Sequence, residues 1–355
     1  MGKAAIILVL GVSVAMSFLT MGVQERRNEA VANACQAYDM NGARNLAHSG
    51  ANVALNNITT NHSYQGSLSA SYSDGSYSTT CSKMPASSNS KIVATGTYGQ
   101  TAHGVQVVVE VYPKYFKSAI TAKPYVNTLG TLEVDGREYD QNENITPNQG
   151  GLAILSTQTI TRGGSSKYGG TNSLGQDFVP STDFDPSMIE ENAQFDGGFP
   201  SSPDAAIEVS DGTLKAIAQS GVGGSQYATD PSDIQIPLRG VTYLELPDNG
   251  TWNSPNLTYC NCGLDYNSFG ILVIHNANKN ARLKNMRGNF YGLIIADDVD
   301  KIHGKVTGNV TVIGASPRGN CIGNGTGDVH YSSYFIMQAL SGQLNKSPEI
   351  VSWWE

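Results

Sequence analysis

Residues 4–24 read AAIILVLGVSVAMSFLTMGVQ, and residues 25–60 continue as ERRNEAVANACQAYDMNGARNLAHSGANVALNNITT. The first segment carries no charge, and no proline occurs before Pro85. A bilayer-spanning helix needs about 20 apolar residues, which the first segment supplies. A cleaved signal peptide should end in a small-x-small site beside the apolar run. Here Ala32-Asn33-Ala34 lies beyond the charged stretch ERRNE, and Cys35 is too remote from the run for a lipoprotein site. We therefore read the run as a retained helix.

The second segment prolongs that helix. It is rich in Ala30, Ala32, Ala34, Ala37, Ala43, Ala47, Ala51 and Ala54. Val31, Cys35, Tyr38, Gly42, Ser49 and Val53 recur near helical spacing and mark an expected contact stripe. From Ala4 to Ile58 such a helix would rise roughly 80 Å. Gly11 and Gly22 weaken it, at about 1 kcal/mol each. Its residues Ala4, Ile7, Leu8, Gly11, Val12, Ala15, Phe18, Leu19 and Gly22 are the candidates for packing against lipid or other helices. Lys3 on one side and Arg26 and Arg27 on the other leave orientation open. Five cysteines in a low-charge body favour a location outside the cytoplasm.

Beyond residue 60 the composition changes. The whole chain of 355 residues is 15% charged and holds 39 glycines, with a net charge of −8. That balance disfavours nucleic acid as a partner, because phosphate binding needs a positive field. Residues 67–81, SLSASYSDGSYSTTC, alternate around Asp74-Gly75, a hairpin signal. Residues 91–98 and 105–112 form a second pair, with Val105, Val107, Val109 and Val111 on one face. We expect an antiparallel sheet here, with the helix on its apolar face. Asp185 followed by Pro186 marks a short helix start.

From residue 240, GVTYLEL, GILVIHN, GLIIADD and GNVTVIG each open on a glycine, at intervals of 30, 22 and 16 residues. Continuous apolar runs between Asn-rich corners suit stacked parallel coils with variable insertions. The expected fold class is α+β and mainly β: a long N-terminal helix, an antiparallel sheet segment, then a β-helix-like C-terminal coil. The expected divisions are 1–60, 61–125 and 126–355, with a final helix over 331–340.

Chemistry-bearing residues are sparse. The six histidines show no metal-ligand spacing. Asp297, Asp298 and Asp300 form the densest acidic cluster, with Lys301 and Lys305 nearby. In a coiled β body they could cut acidic sugars, or they could be a solvated turn. Cys81, Cys260, Cys262 and Cys321 are candidates for one or two disulfides of undetermined pairing. Sequons stand at Asn57, Asn61, Asn144, Asn249, Asn256, Asn309, Asn324 and Asn345, a number the composition largely accounts for. No catalytic set, cofactor site or metal site is expected.

The apolar run followed by Ala43-Arg44-Asn45-Leu46-Ala47-His48-Ser49-Gly50-Ala51 resembles the opening of PilX-type pilus assembly proteins. VDGREYD, GGTNSLGQDFVP, GSQYATDPS, GVTYLELP, FGILVIHN, FYGLIIADD and the final SWWE are similar, in order, to the C-terminal region of a branch of that family. The resemblance implies a type IV pilin-like structural subunit, not an enzyme. Its helix would sit in the inner membrane, then polymerise with other copies of itself into an extracellular filament, served by the pilus assembly machinery. The Gly-Phe-x-x-x-Glu start of ordinary prepilins is absent: the fifth residue is Ala5 counted from Met1 and Ile7 counted from Lys3. Alternatives are a minor or priming pilin, or a membrane-anchored β-helix protein that binds or cleaves carbohydrate.

Overall fold

The computed structural model describes residues 2–60, 64–85, 87–195, 197–258, 267–314, 322, 325–344 and 348–355. The protein is α+β and mainly β. A single helix, α1, runs unbroken over Gly2–Thr60, about 88 Å at 1.5 Å per residue. Four antiparallel strands follow: β1 (Gly66–Ser71), β2 (Gly75–Lys83), β3 (Asn89–Tyr98) and β4 (Thr101–Glu110). The expected hairpin turns at Ser73–Asp74, and Val105, Val107, Val109 and Val111 are buried together.

The sheet then closes in a way the sequence did not announce. The last strand, Glu349–Trp354, pairs antiparallel with β4, so the chain end joins the N-terminal sheet. In the other direction, Ser118–Ala122 leaves that region and pairs with Lys305–Val312 in the body. The division expected at residues 125 and 126 is therefore crossed by strands on both sides. Sheet pairing joins segments distant in sequence, which local patterning does not specify.

In the body, Val241–Glu245, Ser268–His275, Asn289–Ala296 and Lys305–Val312 lie side by side as parallel strands. These are the four glycine-led runs. Short strands Thr251–Asn253, Arg282–Lys284 and Asp298–Val299 make a second parallel sheet between them. Gly270, Gly292 and Gly308 fall in register across neighbouring strands, at φ of 125°, 126° and 146°. A Cβ on Gly292 would stand 2.2 Å from the Gly270 carbonyl oxygen. This ladder explains why each run opens on glycine: both the backbone angle and the space exclude a side chain. The expected helix near 331–340 is Ser333–Leu344, lying over the same strands, and Pro186–Met188 is one 3₁₀ turn capped by Asp185.

His330 is stacked on Tyr139, with ring centroids 4.3 Å apart, and both its ring nitrogens are buried without a hydrogen-bond partner among the described residues. Burial, then Lys305, pushes its pKa down to about 4.

Two outcomes follow. Replacing Gly292 by Ala should cost about 3 kcal/mol or more, from strained backbone and overlap. Gly104→Ala, which meets nothing within 4 Å, should stay within about 0.5 kcal/mol; urea midpoints compare the two. His330 lowers stability only where the unfolded chain binds a proton the native chain refuses. Stability should therefore be level above pH ~6.5, fall by about 3 kcal/mol as pH drops to ~4, and change no further from this group. His330→Phe should remove that fraction of the acid sensitivity in denaturation curves at pH 7 and 4.5.

Candidate assembly helix and its anchorage

Among the described residues, the N-terminal half of α1 packs against no other element. Ile7, Leu8, Val12, Phe18 and Leu19 are each more than half exposed, and Gly11, Ala15 and Gly22 are exposed with them. The side chain of Ala4 lies outside the described residues. Apolar residues occupy every side of this segment, so no single face could bury it against a globular domain. Two of its hydroxyls are satisfied internally: Ser17 Oγ donates to the Ser13 carbonyl at 2.8 Å and Thr20 Oγ1 to the Met16 carbonyl at 2.7 Å. They can therefore enter an apolar surrounding without losing a hydrogen bond. The helix is long and apolar enough to cross a membrane.

The C-terminal half is held differently. Ala43, Ala47, Gly50, Ala51, Ala54 and Ile58 are buried against β2, β3 and β4. The expected stripe was another one: Val31 and Val53 are exposed, as is Cys35. The sheet selects the smallest residues because the helix backbone itself comes down onto it. A Cβ on Gly96 would lie 2.1 Å from the Ala43 carbonyl oxygen and 2.4 Å from the Ala47 nitrogen. The chain end straps the same stretch of helix. Glu355 pairs with Arg44 at 2.5 Å and with His48 at 2.9 Å, and the Trp353 ring lies on His48 with centroids 5.3 Å apart.

A buried polar cluster joins this helix-and-sheet unit to the body. Lys83, the last residue of β2, meets Glu138 of the VDGREYD segment at 2.6 Å, both side chains only 7% exposed. The Lys83 ammonium lies 4.9 Å from the centre of the Tyr331 ring. The Tyr112 and Tyr331 hydroxyls are 2.5 Å apart. Glu138 Oε1 accepts from the Ser333 amide at 2.8 Å and its hydroxyl at 2.9 Å, at the start of the C-terminal helix. Burial pulls the Lys83 amine pKa down, but the Glu138 carboxylate, with Tyr112, more than offsets this and holds it above its usual value. Nothing in local sequence pattern singles out Lys83 or Glu138, since they are 55 residues apart and pair only through the fold.

The remaining expected site residues are engaged structurally or lie elsewhere. Asp297 is fully buried, 2.6 Å from His275 Nδ1, and its other oxygen accepts from the Asn276 and Ala281 amides. Asp298 pairs with Arg282 at 2.7 Å and Asp300 with Lys284 at 3.9 Å. Each of these carboxylates is held by its own basic partner on a neighbouring coil. His303 precedes the strand Lys305–Val312, whereas His275 ends its own strand, so the two lie at opposite ends of the parallel strands. Cys81 corrects its expected role. It is a buried free thiol whose Sγ reaches the Tyr64 carbonyl at 3.4 Å, and burial pushes its pKa up to about 11. Cys260, Cys262 and Cys321 lie outside the described residues. Asn309 is also corrected: it is fully buried and donates to the Ser118 carbonyl at 2.8 Å, so its amide is closed to a glycan. Asn144 and Asn256 are exposed, Asn57 and Asn249 partly so. Asn61, Asn324 and Asn345 lie outside the described residues.

No family model matches the sequence, and no curated protein matches it. Among solved structures, the chain is similar to the competence-associated pilin ComZ from Thermus thermophilus, at 10% identity and a TM-score of 0.32, over 89% of this chain and 97% of that one. This chain likewise places a long apolar helix ahead of a mainly β body.

Breaking the Lys83–Glu138 pair tests how firmly the two parts are joined. Lys83→Met should cost about 3–5 kcal/mol, because it leaves a buried carboxylate uncompensated. Adding Glu138→Gln should recover part of the loss, which a double-mutant cycle on urea midpoints would measure.

Proposed function

We propose that the protein is a structural pilin-like subunit that polymerises through α1 into an extracellular filament. The observation that carries this reading is the free half of α1. It is apolar on all sides and unburied, yet continuous with a segment fastened along its length to a sheet. Before assembly the inner membrane covers the apolar half. In the filament, other copies of the helix cover it, and Gly11, Ala15 and Gly22 allow their backbones to approach closely. The assembly machinery would transfer the helix from the first setting to the second. The β body, which we read as a β-helix-like coil, then forms the outer surface and carries any adhesion.

In this reading the protein is not an enzyme, and it acts as the main repeating subunit. Electron microscopy and immunodetection of material sheared from cells test it. Filaments built chiefly of this chain are the expected result; the absence of such filaments, or trace amounts of this chain beside another pilin, would sink the main-subunit reading. Val14→Asp should lower filament yield by at least about tenfold, because a charge at the centre of an apolar helix costs roughly 2.5–3.5 kcal/mol even on insertion scales. Asp298→Asn should leave filament yield unchanged.

A further inference from the structure

A concave site opens where α1 leaves the sheet. It has a volume of about 360 Å³, and its walls include Tyr38, Asn41 and Asn45 from the helix, Tyr72 and Asp74 from the β1–β2 turn, and Tyr98 from the end of β3. Tyr38 and Tyr98 pack edge to face, with centroids 5.7 Å apart. Gly42 forms part of the floor, where a Cβ would run into the Tyr98 ring at 2.6 Å. The rings of Tyr38 and Tyr72 remain 66% and 59% exposed. The site has the volume and mixed lining of a pocket for a large apolar group, with few polar contacts at its rim.

The same chain carries a group of that kind without a partner. Phe18 is 70% exposed and is the one aromatic residue in 2–37. Gly11, Ala15 and Gly22 lie on its face of the helix at spacings of four, three and four residues. The ring therefore stands out from a strip of small residues, and the helix bearing it can come close to another helix.

We propose that Phe18 of one copy fills the tyrosine pocket of a second copy, the two helices running parallel. This rests on the polymerisation reading above and adds a register to it. Bringing residue 18 of one helix level with residue 42 of the next requires an axial shift of about 36 Å. Each helix meets its own sheet from Tyr38, which packs on Tyr98, to Ile58, roughly 30 Å of rise. The shift therefore lifts the second sheet clear of the first. It also leaves the approach to the pocket open, since the helix that enters it is still in its sheet-free half at that height. The free segment of α1 is longer than the ~20 residues a bilayer needs, so lipid alone does not account for its length. Stacking the phenyl ring among tyrosines adds directional aromatic contacts to the burial of its surface.

Proximity cross-linking tests the register. Ala15→Cys is combined with Ser73→Cys, which keeps Phe18 and all three tyrosines, in a Cys35→Ser background that removes the exposed native thiol. Sheared filaments are treated with a short bis-maleimide. A ladder of linked copies is expected on denaturing gels, about tenfold stronger than for Leu8→Cys with Ser73→Cys, whose thiol would sit roughly 10 Å further along the helix. Adding Phe18→Ala to the first pair should reduce the linked fraction per filament mass by a similar factor. Filaments without linkage, or equal linkage from both pairs, would overturn the docking and leave polymerisation standing. The absence of filaments from the Cys35→Ser parent as well would overturn both.

Discussion

Everything in this molecule hangs on the contact between the backbone of α1 and Gly96. With the Ala43 carbonyl and Ala47 amide pressed toward a residue that has no side chain, the helix sits lower on its sheet than leucine or valine would permit. Close approach brings many weak dispersion contacts into range at once, and it fixes the helix in height and in rotation. A stripe of small residues supplies little transfer energy per residue, so the firmness of the joint comes from length and fit. The six buried residues from Ala43 to Ile58 give it more than four turns, and the Glu355 strap adds an electrostatic tie at the end where the helix departs.

A stiff joint matters because of what it carries. The free half of α1 projects about 60 Å from the sheet, and any load on it acts as a lever on Ala43. The body is joined to the same sheet by a continuous apolar core, and within that joint lies one buried ion pair, Lys83 with Glu138. A buried pair is seldom the most stabilising choice at such a place, since well-packed apolar residues would often serve as well. What it supplies is a single geometry. Lys83 meets Glu138 only when β2 and the VDGREYD segment are correctly set, and Glu138 in turn fixes the first residue of the C-terminal helix.

Local pattern made much of this legible. An uncharged run without proline marks the helix, Asp74-Gly75 marks the first hairpin, and repeated Gly-aliphatic runs mark the parallel strands, because each of these depends on neighbours in sequence. The pairing of Glu349–Trp354 with β4 was not legible, because it links strands more than 200 residues apart. Nor was the true contact stripe of α1. Reading helices by larger apolar residues points to Val31, Cys35 and Val53, whereas a backbone-to-backbone contact selects alanine and glycine. Cys81 was misplaced for a related reason: a cysteine inside a close-packed seam serves as a small apolar side chain. The acidic cluster shows the converse. Asp297, Asp298 and Asp300 are adjacent in sequence, but successive positions beside stacked coils send them to His275, Arg282 and Lys284.

The two halves of α1 use small residues for the same physical end in different surroundings. Against the sheet, Ala43, Ala47, Ala51 and Ala54 let a helix settle onto strands of the same chain. In the free half, Gly11, Ala15 and Gly22 leave comparable hollows, but no strand among the described residues lies opposite them. In lipid such hollows bring no gain, since acyl chains fill them without specificity. Against another helix they do, because each missing side chain lets two backbones draw closer over a full turn. A helix built only to anchor could carry leucine at those positions with better propensity than glycine, by about 1 kcal/mol each. In the proposed filament, the cost of Gly11 and Gly22 is offset where the free half lies beside a second copy of itself.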